Sequence, residues 1–366
     1  EVPPEGRGHK GAYDWQRVVR HEYTHTVGLS RTGNRIPHWF TEANAVYLEL
    51  APRDYSTIEL LQGALESDAL FDFTEINIAF TRPKKPSDRA QAYAQGHWMF
   101  QYLVETYGRE APLKLMDRYA QGTREEEAFQ QVLGVSRADF MDAFKTWATK
   151  QLRAWGMTPP EGEPSLADLW KQEDKRREAA DEKPENPDEA TPELIARWLK
   201  DHPKHPEVLE LAVRKLLAQD DEPEGDQAVA LLKQYAAARP VDPLPVRHLA
   251  RIALGAPNRA EAIPYLEWLD AREQYTAVYA AQLARLYADE GQWDQARVKA
   301  ERATRVAPFT AQHRELAAAI ALNMGDRAGA RRHIEFLIAL EPDREIHKRR
   351  LEALDKATPG TTGGGQ

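Results

Sequence analysis

Two histidines lie four residues apart near the start of the chain, and a glutamate follows the first of them, in the segment His21-Glu22-Tyr23-Thr24-His25. Because a helix brings residues i and i+4 to the same face, both imidazoles reach one metal ion if this segment is helical. Glu22 then projects toward the same region, where it can take a proton from a metal-bound water. Zinc suits nitrogen and carboxylate ligands that leave one position open for water. The pattern therefore predicts a zinc centre.

A third protein ligand is expected from the next helix, because two histidines alone hold zinc poorly. The first helix is predicted to start near Asp14 and to end near Gly28, and a second helix follows a short loop. Glu42 lies 17 residues after His25, in the first turn of this second helix. Glu49, seven residues further on and on about the same face, is the alternative third ligand, although a supporting or solvent-facing carboxylate is the more ordinary role for it.

The order of these residues resembles that of the gluzincin metallopeptidases of the peptidase MA group. Two motifs carry the likeness: His21-Glu22-x-x-His25 and Pro37-x-Trp39-Phe40-x-Glu42-Ala43. The resemblance continues through the helical patterns further along and ends with Phe140-x-x-Phe144-x-x-Trp147. It implies that His21, His25 and Glu42 are the zinc ligands and that Glu22 is the general base.

The chain departs from this family in two respects. Ala43 stands where the family usually has a glycine, which is a mild change in a helix. Only twenty residues precede His21, whereas the family normally places a β-sheet there and lines the substrate cleft with its edge strand. The chain is therefore expected to be an N-terminally trimmed member. A metal-free domain that keeps the fold for binding is the alternative interpretation.

Two further side chains are candidates for the catalytic machinery. Tyr93 and His97 are one helical turn apart and share a face. Related zinc peptidases use a tyrosine or a histidine to donate a hydrogen bond to the oxyanion, so we consider both, Tyr93 first. The alternative is that both rings simply pack on an amphipathic helix. The basic loop at 82–89 leads into this helix and is either a solvated loop or a rim of the cleft. His38 is expected to be a surface histidine.

Composition and charge limit the class of protein. The 366 residues carry a formal net charge of -9 and include no cysteine. This charge argues against nucleic-acid binding, which needs a basic face, and the lack of cysteine excludes disulfides and thiolate metal sites. No apolar run approaches the roughly 20 residues that span a bilayer. Because the chain starts at Glu1 without a signal-peptide pattern, it is expected to be a processed or excised form.

The second half of the chain is predicted to be a repeat array. Residues 158–190 are charged and rich in proline, which is typical of a linker, with one short helix capped by Ser165. Residues 276–309 and 310–343 are consecutive 34-residue units that resemble tetratricopeptide repeats. We therefore predict a helical solenoid with a concave face at 191–357, and a disordered tail at 358–366.

These observations predict a mainly-α protein. A gluzincin-type metallopeptidase domain occupies 1–157, and the linker and the repeats follow. The expected function is zinc-dependent hydrolysis of peptide bonds in a protein or peptide substrate. The concave face of the repeats would dock that substrate or a protein partner. The alternative function is a non-catalytic repeat scaffold with a metal-free peptidase-like domain. The resemblance also favours the bacterial periplasm or cell envelope as the location.

Overall fold

The computed structural model describes residues 14–182, 186, 188–219 and 225–356. Within these residues, nineteen α-helices and one short 3-10 helix follow one another, and there is no strand. The mainly-α fold predicted from the sequence is confirmed. None of the helices in the described part of the chain is long and apolar enough to cross a membrane. The expected disordered tail at 358–366 lies outside the described residues.

The chain divides into two compact units, one of residues Gln16–Leu249 and one of Glu1–Trp15 with Ala250–Gln366. The helices up to this division are α1 (Trp15–Thr32), α2 (His38–Leu48), α3 (Tyr55–Glu66), α4 (Phe73–Thr81), α5 (Asp88–Tyr107), α6 (Ala111–Ala120), α7 (Glu125–Leu133), α8 (Arg137–Ala154), α9 (Leu166–Ala179), α10 (Pro192–Asp201), α11 (Pro206–Gln219), α12 (Asp226–Ala238) and α13 (Pro243–Gly255), which runs across it. Then follow a 3-10 helix (Arg259–Ala262), α14 (Ile263–Arg272), α15 (Val278–Asp289), α16 (Trp293–Val306), α17 (Ala311–Asn323), α18 (Arg327–Leu340) and α19 (Glu345–Lys356). The domain boundaries drawn from the sequence stay predictions.

Helix α1 continues beyond Gly28, where the sequence predicts its end. Gly28 is buried, and a Cβ atom there would lie 3.8 Å from a side-chain atom of Ile36 and 3.9 Å from one of Thr41. This glycine therefore allows close approach of the following segment and does not stop the helix. The turn after α1 instead uses Gly33 and Asn34, with φ of 55° and 61°, a conformation that glycine and asparagine adopt at low cost.

Helix α2 is fixed in place by hydrogen bonds and by a close crossing with α5. The backbone N–H of Trp39 donates to Asn77 Oδ1 at 2.9 Å, and its indole Nε1–H donates to Glu125 Oε1 at 2.7 Å. A Cβ atom built on Gly96 of α5 would lie 3.4 Å from Cβ of Ala43. The two helices thus approach each other at positions without large side chains.

The core around these helices is rich in aromatic side chains. The largest fully buried ones include Trp39, Phe40, Trp98, Phe129, Phe140 and Phe144. Many of their rings meet edge to face, for example Phe40 with Phe100 at 5.3 Å between centroids, which is a favoured aromatic geometry. Burial of each such side chain stabilises the fold by about 1.5–3 kcal/mol. This core holds α2 and α5, the helices that carry Glu42 and Tyr93.

The segment at 158–190, predicted as a linker, contains α9. Leu169 on this helix is buried together with Leu194 and Trp198 of α10 and Val208 of α11. The predicted cap is present, because the side chain of Ser165 accepts a hydrogen bond from the backbone N–H of Asp168 at 3.1 Å. Helix α9 is therefore packed against the two helices that follow it.

Arg239 joins the end of α12 to the helices at the start of the same unit. Its Nε–H donates to the carbonyl of Gly156 at 3.0 Å, and Nη1 donates to the Tyr55 hydroxyl at 3.0 Å and pairs with Glu210. The guanidinium is buried. Gly156 has a φ of 69°, and a Cβ atom there would lie 1.9 Å from the carbonyl oxygen of Ala238. The backbones at 156 and 238 are thus in direct contact.

The second unit shows a regular spacing. Helices α16 and α18, Trp293–Val306 and Arg327–Leu340, begin and end 34 residues apart. The turns before them contain Gly291 and Gly325, with φ of 71° and 73°. Helices α15, α16 and α17 meet through small buried residues such as Ala284, Ala300 and Ala317. The helices of this unit therefore repeat with the same 34-residue period as the sequence.

Candidate metal centre

The predicted ligand atoms converge between α1 and α2. The Nε2 atoms of His21 and His25 are 3.1 Å apart, and Oε2 of Glu42 lies 3.7 Å from the first and 3.5 Å from the second. Tetrahedral zinc with bonds of about 2.1 Å requires ligand atoms about 3.4 Å apart. Among the described residues, these three form the one group of His, Cys, Asp and Glu side chains arranged to hold a metal ion.

The carboxylate of Glu42 has an unsatisfied oxygen. Its Oε2 atom is buried and accepts no hydrogen bond from any described residue. Burial by itself raises the pKa of Glu42, but the neighbouring His21 and His25 lower it by more, so the pKa lies well below the usual range of a glutamate. A buried, ionised oxygen that accepts no hydrogen bond is costly unless a cation meets it. The residues present therefore fit a divalent metal ion such as zinc.

Both imidazoles are held by hydrogen bonds at their other nitrogen. Nδ1 of His21 lies 2.8 Å from Glu49 Oε1, and Nδ1 of His25 lies 2.9 Å from Thr41 Oγ1. With a proton on Nδ1, each ring leaves the lone pair of Nε2 free for a metal, as is usual for histidine ligands. The carboxylates of Glu42 and Glu49 raise the pKa of His21 to about 9 despite its burial.

The alternative ligand Glu49 contacts His21 at the nitrogen that does not face Glu42. It is buried, its Oε1 faces Nδ1 of His21, and its Oε2 pairs with Arg17. Arg20 adds a hydrogen bond from Nη1 to the carbonyl of Glu49 at 2.7 Å. Glu49 thus contacts the side of the His21 ring that faces away from Glu42.

Tyr93 lies near the carboxylates of Glu42 and Glu22. Glu22 is exposed on α1, next to the first histidine. The pKa of Tyr93 is raised to about 12, first by burial and then by the nearby carboxylates of Glu42 and Glu22. Its phenol therefore keeps its proton at neutral pH and remains a hydrogen-bond donor. The structure thus places this candidate donor within electrostatic reach of the candidate base.

His97 has different neighbours from Tyr93, although both are on α5. Its pKa is lowered to about 3 by burial and then by Arg53 and Arg17. Its ring centroid lies 6.2 Å from that of Tyr47. The imidazole is therefore neutral at physiological pH, and the groups that act on it are cations and not the carboxylates of the metal cluster.

His38 is half-exposed at the edge of the site. Its Nε2 lies 3.6 Å from the outer oxygen of Glu42, Oε1. Its ring contacts that of Phe80, with centroids 5.3 Å apart, and Phe80 also meets Tyr93 edge to face at 4.8 Å. Phe80 thus lies between His38, which is next to Glu42, and Tyr93.

Sequence reasoning missed the contacts that Thr41 and Arg17 make beside the candidate ligands. Pro37 holds the N-cap position of α2, and the Thr41 hydroxyl lies against Nδ1 of His25. One signal was present, because Thr41 directly precedes the ligand Glu42 and shares its helical turn. Arg17 carried no signal, since its partner Glu49 lies 32 residues away.

Comparison with known proteins agrees with the geometry. Residues 9–150 match the family model described as Peptidase MA superfamily, which supports a peptidase MA-like domain in this part of the chain. The matched residues include α1 to α7, most of α8 and all the ligands of the candidate centre. Members of this superfamily are typically metal-dependent. No curated protein matches the chain.

Proposed function

We propose that the protein is a zinc-dependent peptidase that hydrolyses peptide bonds in protein or peptide substrates. The observation that carries this proposal is the converging group of His21, His25 and Glu42, with a buried, unsatisfied carboxylate oxygen. The group lies within the segment that matches the Peptidase MA superfamily. The arrangement of the motifs further supports the gluzincin type.

The residues around the cluster have distinct roles in this mechanism. His21, His25 and Glu42 would hold a zinc ion, which would supply Lewis acidity to the scissile carbonyl and to the attacking water. Glu22 takes the proton of the attacking water and passes it to the leaving amine. Its exposed position beside the ligands leaves its carboxylate open to substrate.

Tyr93 stabilises the oxyanion in this proposal. Its protonated phenol lies beside Glu42 and Glu22, where negative charge develops during attack on the carbonyl. A fixed donor at such a point stabilises the transition state more than the substrate. We assign this role to Tyr93 and not to His97, because the neighbours of His97 are Arg53 and Arg17.

We further propose that the second half of the chain consists of tetratricopeptide-like repeats. The 34-residue spacing of α16 and α18, and the glycine turns before them, support this assignment. In the proposal, the concave face of these repeats docks a protein substrate or a partner. The repeats carry no residues of the hydrolytic site.

Metal analysis and proteolysis together test the proposal. The purified chain should contain one zinc ion, and His21→Ala should lose it. With zinc present, the chain should cleave denatured fluorescent casein, and Glu22→Gln should keep the zinc but lose about 10² of the rate or more. A folded chain that binds no zinc would favour the non-catalytic scaffold. Undiminished hydrolysis by Glu22→Gln would refute the mechanism.

A further inference from the structure

The loop between α4 and α5 is basic and has a fixed conformation. The backbone N–H groups of Lys84 and Lys85 donate to Asp88 Oδ2 at 2.7 and 2.8 Å, and Asp88 is buried. The carboxylate of Asp88 is thus satisfied by the backbone of the loop and not by its cationic side chains. Asp88 in turn donates its own backbone N–H to the carbonyl of Lys85 at 3.1 Å. These hydrogen bonds close the loop into a defined turn.

This loop adjoins the candidate metal centre through Phe80. The Phe80 ring contacts both His38 and Tyr93, and the loop begins two residues after it. Arg89, at the start of α5, donates its Nε–H to the carbonyl of Phe80 at 3.2 Å. The loop therefore lies next to Phe80, which contacts His38 and Tyr93 at the edge of the site.

The cationic side chains of the loop form no ion pair with any residue that the structure describes. We call Arg82, Lys84 and Lys85 the basic rim. All three side chains are exposed, and within the part of the chain that the structure describes none of them has an ion pair or a side-chain hydrogen bond. The sign of this patch is opposite to that of the whole chain, whose formal net charge is -9. Uncompensated charge beside a cleft concentrates ligands of the opposite sign.

We propose that the basic rim recognises carboxylate groups of the substrate, so that the peptidase prefers peptides with acidic residues beside the scissile bond. This inference rests on the proposed function. The three cations together favour an acidic peptide by about tenfold, and about 1 M salt, where the screening length is about 3 Å, removes most of the preference.

A binding measurement tests the rim without requiring hydrolysis. The probes are fluorescein-labelled peptides with two randomised central residues, flanked on both sides by two Glu, two Gln or two Lys residues. Zinc-loaded Glu22→Gln protein should bind the Glu-flanked peptides about tenfold more tightly than the Gln-flanked ones. Adding Arg82→Gln, Lys84→Gln and Lys85→Gln should bring the two affinities together. Equal affinities before these changes, or a preference that survives them, would overturn the inference.

A matched control removes the same charge elsewhere. Lys150→Gln, Lys200→Gln and Lys204→Gln change three exposed lysines outside the rim and should leave the preference intact. If the control variant also lost the preference for acidic peptides, the preference would depend on net charge and a specific role of the rim would be refuted.

Hydrolysis of quenched versions of the same peptides separates the two proposals. A rim variant that cleaves Gln-flanked peptides at the original rate but no longer favours Glu-flanked ones supports both. Failure to cleave any peptide, with the binding preference present, would count against the proposed function alone.

Discussion

The two buried glutamates near the histidines should differ in their effect on zinc affinity. Glu42 presents an unsatisfied oxygen to both Nε2 atoms, whereas Glu49 contacts Nδ1 of His21. The perturbation is the same for both: Glu42→Gln and Glu49→Gln replace a carboxylate with an amide of the same shape. Each change therefore removes charge with little change in packing.

The structure sets the expected magnitudes. A four-ligand zinc site binds with about 10–16 kcal/mol, so one ligand accounts for about 3 kcal/mol, which corresponds to about 10²-fold in affinity. Glu42→Gln should weaken zinc binding by that factor. The amide oxygen of Glu49→Gln can still accept the Nδ1–H of His21, so this variant should lose about tenfold, the lower end for partners of ligands.

Competition with a coloured zinc chelator measures both affinities. Circular dichroism of each variant checks that the helices remain. Thr41→Val is a further comparison, because it removes only the hydroxyl near Nδ1 of His25 and should cost about tenfold or less. If Glu49→Gln lost more affinity than Glu42→Gln, the assignment of the third ligand would be wrong.

The remaining predictions concern the donor, the backbone contact at 156 and acid stability. Tyr93→Phe should lower kcat by about 10² with little change in KM, as for loss of one oxyanion donor; steady-state kinetics with zinc bound would test this, and an unchanged kcat would exclude the role. Gly156→Ala should destabilise the chain by about 3 kcal/mol or more in urea unfolding, because a left-handed backbone costs about 1–2 kcal/mol and the clash with Ala238 adds to it. Gly134 has a φ of 76°, and a Cβ atom there would have no atom within 4 Å, so Gly134→Ala should cost only the about 1–2 kcal/mol of the left-handed backbone. Equal destabilisation by the two substitutions would contradict the contact between Gly156 and Ala238. Because the folded-state pKa of His97 is lowered to about 3, its unfolded state takes up a proton first, and stability is lost as the pH falls below about 6.5. His97→Gln should reduce this loss by up to about 1.4 kcal/mol per pH unit between about pH 6.5 and 4, as followed by urea unfolding; parallel pH profiles of the two proteins would argue against the buried neutral imidazole.

The local parts of the candidate centre followed from spacing alone. Two histidines four residues apart must share a helix face, and α1 places their Nε2 atoms 3.1 Å apart. The helical class was also predictable, because helices are set by local periodicity. The end of α1 was not predictable, because a glycine commonly marks the end of a helix. The close approach of Gly28 to Ile36 depends on tertiary packing.

Long-range partners were beyond the reach of sequence spacing. Glu49 meets Arg17 and His21 only after the chain has reversed between α1 and α2. Arg239 reaches Gly156 and Tyr55 across 83 and 184 residues. The segment at 158–190 was predicted to be a linker with one short helix, and this stays a prediction; the burial of Leu169 with residues of α10 and α11 could not be read from its composition. Composition describes average exposure, whereas a single leucine or tryptophan decides whether a helix packs.

The crossing of α2 and α5 has a consequence for how the catalytic groups are spaced. Ala43 directly follows the ligand Glu42, and Gly96 follows Tyr93 by less than one helical turn. A methyl group placed at 96 would lie 3.4 Å from Cβ of Ala43. These two positions therefore set the distance between α2, which carries Glu42, and α5, which carries Tyr93. A side chain larger than methyl at either position would push the helices apart and lengthen the distance from Tyr93 to Glu42. A glycine at position 43 would leave room for an alanine at 96, so the two positions can exchange their small residues while the distance between the helices stays the same.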